Sequence, residues 1–127
     1  FEAVALRWKG QLSENSKVHA FANVFPELNH NEIMGWGPLK DLNEQFRVIF
    51  LKDRDDHPQV KKRMQITKEI IERHTSEVIE VESKGKTLLT RIFSLIFLGD
   101  MISLYLSALN QVDPTPVKNI EYLKGKL

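Results

Sequence analysis

Three side chains stand out as candidate chemical actors: Glu14, His30 and Lys124. Glu14 lies near the end of a predicted helix, within Ser13-Glu14-Asn15-Ser16-Lys17. Taken alone it reads as a surface acid. His30 sits between Asn29 and Asn31, just past a predicted strand end. An imidazole there can act as a general acid or base, since its ordinary pKa lies near neutrality. A satisfied surface histidine is the blander reading. Lys124 belongs to a last helix in which Val117, Ile120, Glu121 and Lys124 follow i, i+3, i+4, i+7. That spacing puts Lys124 on the inward stripe with Val117 and Ile120. An inward Lys needs a carboxylate, a phosphate or an apolar shelf, and packing of its stem is the bland alternative.

Other motifs carry less. Lys84-Gly85-Lys86-Thr87 ends like a phosphate-binding loop, but Glu80 stands where that motif requires its first Gly. It reads as a Gly turn before a helix. His30-Asn31-Glu32 has the H-x-E shape of zinc deaminases, yet the chain has no Cys to complete the ligand set. The four histidines show no metal-ligand spacing, so no structural zinc is expected. Asp53, Asp55 and Asp56 are interleaved with Lys52 and Arg54, which reads as a solvated loop and helix start rather than a magnesium site. Asp100 falls within an apolar helix and needs a partner there. Arg91 or a backbone amide is the expected one, in a structural role.

Elements must position these groups. Val4, Trp8 and Leu12 mark one face of a helix over residues 3 to 18. His19 to Phe25 reads as a short strand stopped by Pro26. Asn29 to Trp36 holds a brief helix, followed by a Gly35-Trp36-Gly37-Pro38 loop. Phe46 to Leu51 is rich in β-branched and aromatic residues and reads as a strand. Pro58 at a first helical position starts a helix to about His74, with Val60, Met64 and Ile70/Ile71 inward. Glu77 to Glu82 is another strand. A helix from near Lys86 to about Asn110 is apolar nearly all round, so it is expected to be central and covered on most sides. Asp113-Pro114 caps a final helix. Strands alternating with helices imply a parallel sheet covered on both faces. Ligands then sit at the strands' carboxyl ends, around residues 25–30, 52–58 and 83–87.

Composition narrows the classes. The 127 residues are 42% hydrophobic and 28% charged, which fits a soluble globular domain. Eighteen Lys and Arg against seventeen Asp and Glu leave a net charge of +1, so no basic field for nucleic acid is expected. The lack of Cys removes disulfides and thiolate catalysis and fits a cytoplasmic location. No signal peptide is read at the start, and the start within an amphipathic pattern suggests a piece of something larger. The apolar stretch from Leu88 to Leu109 carries Arg91 and Asp100, so a buried helix and no membrane partner are expected.

Two longer segments make the residues less anonymous. Arg7-Trp8-Lys9-x-Gln11-Leu12-x-Glu14-Asn15-x-Lys17 is followed by Val24-Phe25-Pro26-Glu27-Leu28-Asn29-His30-Asn31-Glu32-Ile33-x-Gly35-Trp36. Together they resemble the second half of the bifunctional phosphoglucose/phosphomannose isomerases, small members of the phosphoglucose isomerase superfamily. Leu98-Gly99-Asp100 and the helix ending in Ile120-Glu121-x-x-Lys124 agree. The resemblance spans nearly the whole chain.

The resemblance implies an α/β fold, a SIS-type (sugar isomerase) three-layer αβα sandwich with a parallel sheet. Residues 1–127 would be a single C-terminal SIS domain, with the family's N-terminal SIS domain absent. The implied substrates are sugar phosphates: glucose 6-phosphate or mannose 6-phosphate, interconverted with fructose 6-phosphate. No cofactor and no metal are implied, and a homodimer is. Carried over by position, Glu14 is the base that moves a proton between C1 and C2 through a cis-enediol. His30 helps open the sugar ring and reaches the neighbouring subunit's site. Lys124 lies near the ring oxygen and the developing charge. Family members grip the phosphate with a Ser/Thr-rich loop of the first SIS domain, so this chain alone is expected to be weakly active or inactive. A non-catalytic SIS domain that binds a sugar phosphate as regulator or scaffold is the alternative.

Overall fold

The computed structural model describes residues 1–75 and 77–127. The elements run α1 (Glu2–Ser16), two 3-10 turns (Glu27–Asn29 and Glu32–Gly35), α2 (Lys40–Asn43), β1 (Arg47–Lys52), α3 (Pro58–Ile71), β2 (Glu77–Glu82), α4 (Leu88–Leu109) and α5 (Lys118–Lys124). β1 and β2 pair in parallel, with Arg47 opposite Glu77 and Phe50 opposite Glu80. The α/β class with a parallel sheet is therefore the one the sequence leads to. The chain divides into two compact units: residues 1–2 with 23–95, and residues 3–22 with 96–127.

The first unit holds the sheet. Its core is Phe50, Met64 and Ile71, with Phe25, Trp36, Val48, Val60 and Val78 packed around them. Phe25 meets Phe50 edge to face at 5.7 Å between ring centroids. α3 starts as its sequence dictates. Pro58 sits in the first turn, and the His57 ring nitrogen Nδ1 accepts from the Gln59 N–H, capping the helix. On β2, the Glu80 carboxylate receives Lys52 at 3.1 Å and Lys68 at 3.0 Å. The Lys68 and Lys52 hydrogen bonds outweigh desolvation and hold Glu80 below the usual carboxylate range.

Two strands, not three, are present among the described residues. His19 to Phe25 is not a strand but an irregular segment ending in a turn. Its backbone groups go elsewhere. The Asn23 side chain accepts from the Val24 N–H, and the Val24 carbonyl accepts from Leu28 in the turn around Pro26. Local side-chain bonding of this kind competes with a ladder, and Pro26 removes a donor.

The second unit is built on α1 and the later part of α4. Val4, Trp8 and Ser16 are the buried residues of α1, continuing the i, i+4 stripe. Gly99 faces Trp8 so closely that a Cβ there would lie 2.4 Å from the indole nitrogen. Ser16 Oγ donates to the Ser103 carbonyl at 2.7 Å, and Asn15 Nδ2 donates to Ser103 Oγ at 2.8 Å. Asp100 is paired with Arg7, not Arg91, through a two-pronged contact of 3.1 and 2.7 Å. This corrects the expected partner. The sequence distance of 93 residues hides it.

α4 has the expected length, but it is not covered on most sides. Its buried stripe is Arg91, Leu95, Gly99, Ser103 and Ser107, which includes its small and polar residues. Phe93, Phe97, Leu104 and Tyr105 are exposed. Among the described residues α4 alone is long and apolar enough to cross a membrane by length and composition. Its two charges, Arg91 and Asp100, are both ion-paired within the fold.

Candidate active site around Glu14

Glu14 lies in the last turn of α1, and its carboxylate is exposed to a cleft of about 490 Å³. Ser13 and Lys17 line the same side. Asp113, Pro116, Val117 and Lys118 line the other, from the loop that leads into α5. Among the described residues the Glu14 carboxylate has neither a hydrogen bond nor an ion pair. Asp53, Glu80 and Asp100 differ: all three are paired.

Lys17 builds the cleft. It follows the last residue of α1 with φ 59°, the left-handed conformation common just past a helix end. From there its ammonium donates to three carbonyls: Glu14 at 2.6 Å, Pro116 at 2.8 Å and Pro114 at 3.3 Å. An ammonium has three donors, so Lys17 is saturated. It ties the backbone of Glu14 to the loop opposite. The Asp113 side chain accepts from the Thr115 N–H at 2.9 Å and shapes that loop. Within Glu-Asn-x-Lys, the sequence alone assigns Lys17 no role. The available signal was a Lys just past a helix end, where free carbonyls gather.

Lys124 is not among the residues lining this cleft. It sits in the last turn of α5, in the same unit, and α5 buries no side chain. Lys124 and Ile120 are both exposed. The expected inward placing of Lys124 is therefore corrected: Val117 and Ile120 of the same stripe line the cleft, but Lys124, one turn further on, is exposed.

His30 lies in the other unit. It caps the first 3-10 turn, with its N–H on the Glu27 carbonyl at 2.9 Å, and its side chain is exposed. Its two flanking asparagines are structural. Asn29 donates to the buried Thr67 of α3 at 2.8 Å, and Asn31 accepts from the Glu32 N–H to start the second turn. Asn-His-Asn-Glu thus presents one ring to solvent on a segment pinned from both sides.

The carboxyl ends of β1 and β2 are not an open site. Asp53 there is buried, not solvated as expected, and contacts Arg91 at 2.8 Å and the Ser83 hydroxyl. Arg91 also reaches Asp55. Burial pushes the Asp53 carboxyl up, but the Ser83 and Asp55 hydrogen bonds and the Arg91 charge together leave it below its ordinary value. Ser83 N–H and Arg54 close the end further, bonding to the Lys52 and Lys86 carbonyls.

Comparison with known proteins adds the family. The sequence profile described as "Bacterial phospho-glucose isomerase C-terminal SIS domain" matches residues 1–127. A bifunctional phosphoglucose/phosphomannose isomerase of Caldicellulosiruptor bescii is 52% identical over 126 residues, covering 99% of this chain and 37% of that protein. Proteins of the same name from Aquifex aeolicus and Thermoplasma volcanium are 41% and 40% identical, covering 98% and 100% of this chain and 38% and 40% of theirs. The chain thus spans about two fifths of the length of these curated relatives. Its α/β architecture with a parallel sheet is that of the expected SIS type, and the chain belongs to the bacterial phospho-glucose isomerase C-terminal SIS domain family.

Proposed function

We propose that residues 1–127 are the C-terminal SIS domain of an aldose–ketose isomerase that interconverts glucose 6-phosphate or mannose 6-phosphate with fructose 6-phosphate. The observation that carries this reading is Glu14. It is a carboxylate without a partner, on a clamped backbone, facing a cleft. Such a group can take a proton from C2 of the open-chain aldose and return it to C1, passing through a cis-enediol. The C2–H electrons form the C1=C2 bond while the aldehyde oxygen takes up the charge and a proton from water; in the second half the C2 hydroxyl gives up its proton to water, C2=O forms, and the C1=C2 electrons take the proton from Glu14 at C1. A positioned base of this kind contributes typically about 10²–10⁴-fold, and positioning supplies the rest.

His30, an exposed ring on a pinned segment, fits ring opening, and in a homodimer it would serve the partner's site. Lys124 fits a cation near the developing enediolate. That role requires α5 to close toward the substrate or the remaining polypeptide to cover it. The N-terminal SIS domain would supply the phosphate grip, with the assembled enzyme working in the cytoplasm on glycolytic and gluconeogenic sugar phosphates. No cofactor or metal enters these steps.

The test is proton NMR of fructose 6-phosphate in D₂O, with the full-length polypeptide and with residues 1–127 alone. We expect aldose 6-phosphate signals and deuterium at C1 and C2 with the former, lost in Glu14→Gln, and little or no turnover with the latter. Undiminished turnover in Glu14→Gln would sink the assignment. Sugar-phosphate binding without turnover in the full-length protein would leave the non-catalytic binder.

A further inference from the structure

The buried face of α3 carries one hydroxyl. Val60, Met64 and Ile71 pack in the core of the first unit, and Thr67 falls on the same stripe. Thr67 is 1% exposed, while its neighbour Ile66 is 46% exposed. A branched apolar side chain would fill the Thr67 position at least as well. A buried hydroxyl costs free energy unless it is hydrogen-bonded. Its partner is Asn29, whose Nδ2 donates to Thr67 Oγ1 at 2.8 Å.

Asn29 is the residue before His30, and its other amide atom is held as well. Arg63, one turn before Thr67 on α3, donates to Asn29 Oδ1 at 3.4 Å. A guanidinium only donates, so it selects the amide oxygen and leaves the amide nitrogen for Thr67. These two bonds tie the 3-10 turn to a 14-residue helix. The other hydrogen bonds around His30 are local among the described residues. The His30 N–H meets the Glu27 carbonyl, Asn31 bonds to Glu27 and to the Glu32 N–H, and Glu32 accepts from Asn23. Such bonds shape the turn but move with it. Leu28 is buried beside them, yet apolar contact is non-directional and does not set which way the turn faces.

We propose that Thr67 is a positioning residue: acting through Asn29, it fixes the direction in which His30 meets the sugar ring. Arg63 supports it by orienting the Asn29 amide. The inference rests on the isomerase reading, in which His30 assists ring opening. The His30 side chain is exposed, so its place is set by the backbone that carries it. A misplacement of about 1 Å can cost about 10²-fold in rate. Thr67 therefore acts on ring opening and not on affinity.

The test uses the full-length polypeptide in a Glu14→Gln background, where isomerisation is removed. Exchange between the α and β anomers of glucose 6-phosphate, read by NMR magnetisation transfer, then reports ring opening alone. We expect His30→Ala to slow it by at least about 10-fold. Thr67→Val keeps the shape but loses the acceptor, and should slow it by about 10-fold with Kd for the sugar phosphate held within about twofold. Thr67→Ser keeps the hydroxyl and should retain most of the rate. Asn29→Ala, which leaves the core intact, should match Thr67→Val. The double variant should be no slower than either, since both changes remove the same bond. Amide exchange of residues 27–32, read by mass spectrometry, should quicken in Thr67→Val while the β1 amides stay slow. A loss in His30→Ala that Thr67→Val does not share would overturn the inference and leave the isomerase reading standing. Equal losses in Thr67→Val and Thr67→Ser, or additive losses in the double variant, would mean that Thr67 acts through core packing and would overturn it too. Unchanged anomer exchange in His30→Ala would remove the ring-opening role from His30 and overturn both.

Discussion

Asp53 and Glu14 are two carboxylates treated in opposite ways. Asp53, at the carboxyl end of β1, is buried and satisfied by Arg91, Ser83 and the Asp55 N–H. Glu14, at the end of α1, is exposed, and the neighbouring Lys17 spends its donors on backbone carbonyls instead. A buried acid engaged on both oxygens stabilises a fold but is not presented to a substrate. An unpaired acid adds little to stability and remains available. The difference separates the strand-end position at which ligands commonly sit in α/β folds from the position that is open here. The strand end is filled by an ion-paired lock, and the acid proposed for chemistry is carried by the last turn of α1.

The sharpest way to break this contrast is to exchange the roles. Glu14→Gln should lower turnover of the full-length polypeptide by about 10²–10⁴-fold. It should move the unfolding free energy by no more than about 0.5 kcal/mol, as for an ordinary surface change. Initial rates and urea unfolding on the same sample check both. Arg91→Met should do the reverse to stability. It leaves Asp53 buried without its cation, which costs about 3–5 kcal/mol. Adding Asp53→Asn to Arg91→Met should recover part of that loss, because the uncompensated charge is gone. A double variant no more stable than Arg91→Met would show that Arg91 acts through packing rather than charge.

How far the sequence could be read follows the same divide. Local features were legible. Pro58 and the apolar spacing of Val60, Met64 and Ile71 specify α3, and the β-branched run specifies β1. Glu14 and His30 were legible as candidates because their flanking residues form recognisable segments. Features set by distant partners were not. Arg7 and Asp100 meet across 93 residues, and Arg91 and Asp53 across 38. The false strand at residues 19–25 failed because Asn23 and Pro26 redirect the backbone bonds locally. α4 misled for another reason. Apolar on nearly every side, its composition could not say which stripe would be buried. Packing against Trp8 and Ser16 chose the small residues Gly99 and Ser103.

That close approach offers the next test. Gly99→Ala should destabilise by about 1–3 kcal/mol, since the added methyl meets the Trp8 indole and the helices must shift. Trp8 emission should change with it. An unchanged unfolding midpoint would mean that the α1–α4 contact is looser than the geometry shows. A smaller effect is expected from Lys17→Met. Lys17 is exposed, so its three hydrogen bonds should contribute only about 1 kcal/mol to stability. Its effect on turnover should exceed its effect on binding, since it fixes where the Glu14 backbone sits. Lys17→Arg should restore part of the rate. A fall in substrate affinity with kcat unchanged would instead make Lys17 a binding residue.

The mildest perturbation of the lock is acid. The folded-state pKa of Asp53 lies below its unfolded value, and so does that of Glu80. Each contributes stability that is fully present above the unfolded carboxylate value, about 3.9 for Asp and 4.3 for Glu. That stability is lost as pH falls through the lower folded value. Unfolding free energy should thus be flat with respect to these groups near neutrality and fall below about pH 4. Ser83→Ala removes one of the hydrogen bonds that hold Asp53 down, so it should lower the unfolding free energy near pH 7, make its fall below about pH 4 shallower, and reach the acid midpoint at a higher pH. Lys68→Met should do the same through Glu80, because the Lys68 hydrogen bond is the largest influence on that group. An acid midpoint indifferent to both substitutions would mean that neither carboxylate carries the acid limb, and that the lock in the sheet unit is held by packing of Phe50, Met64 and Ile71.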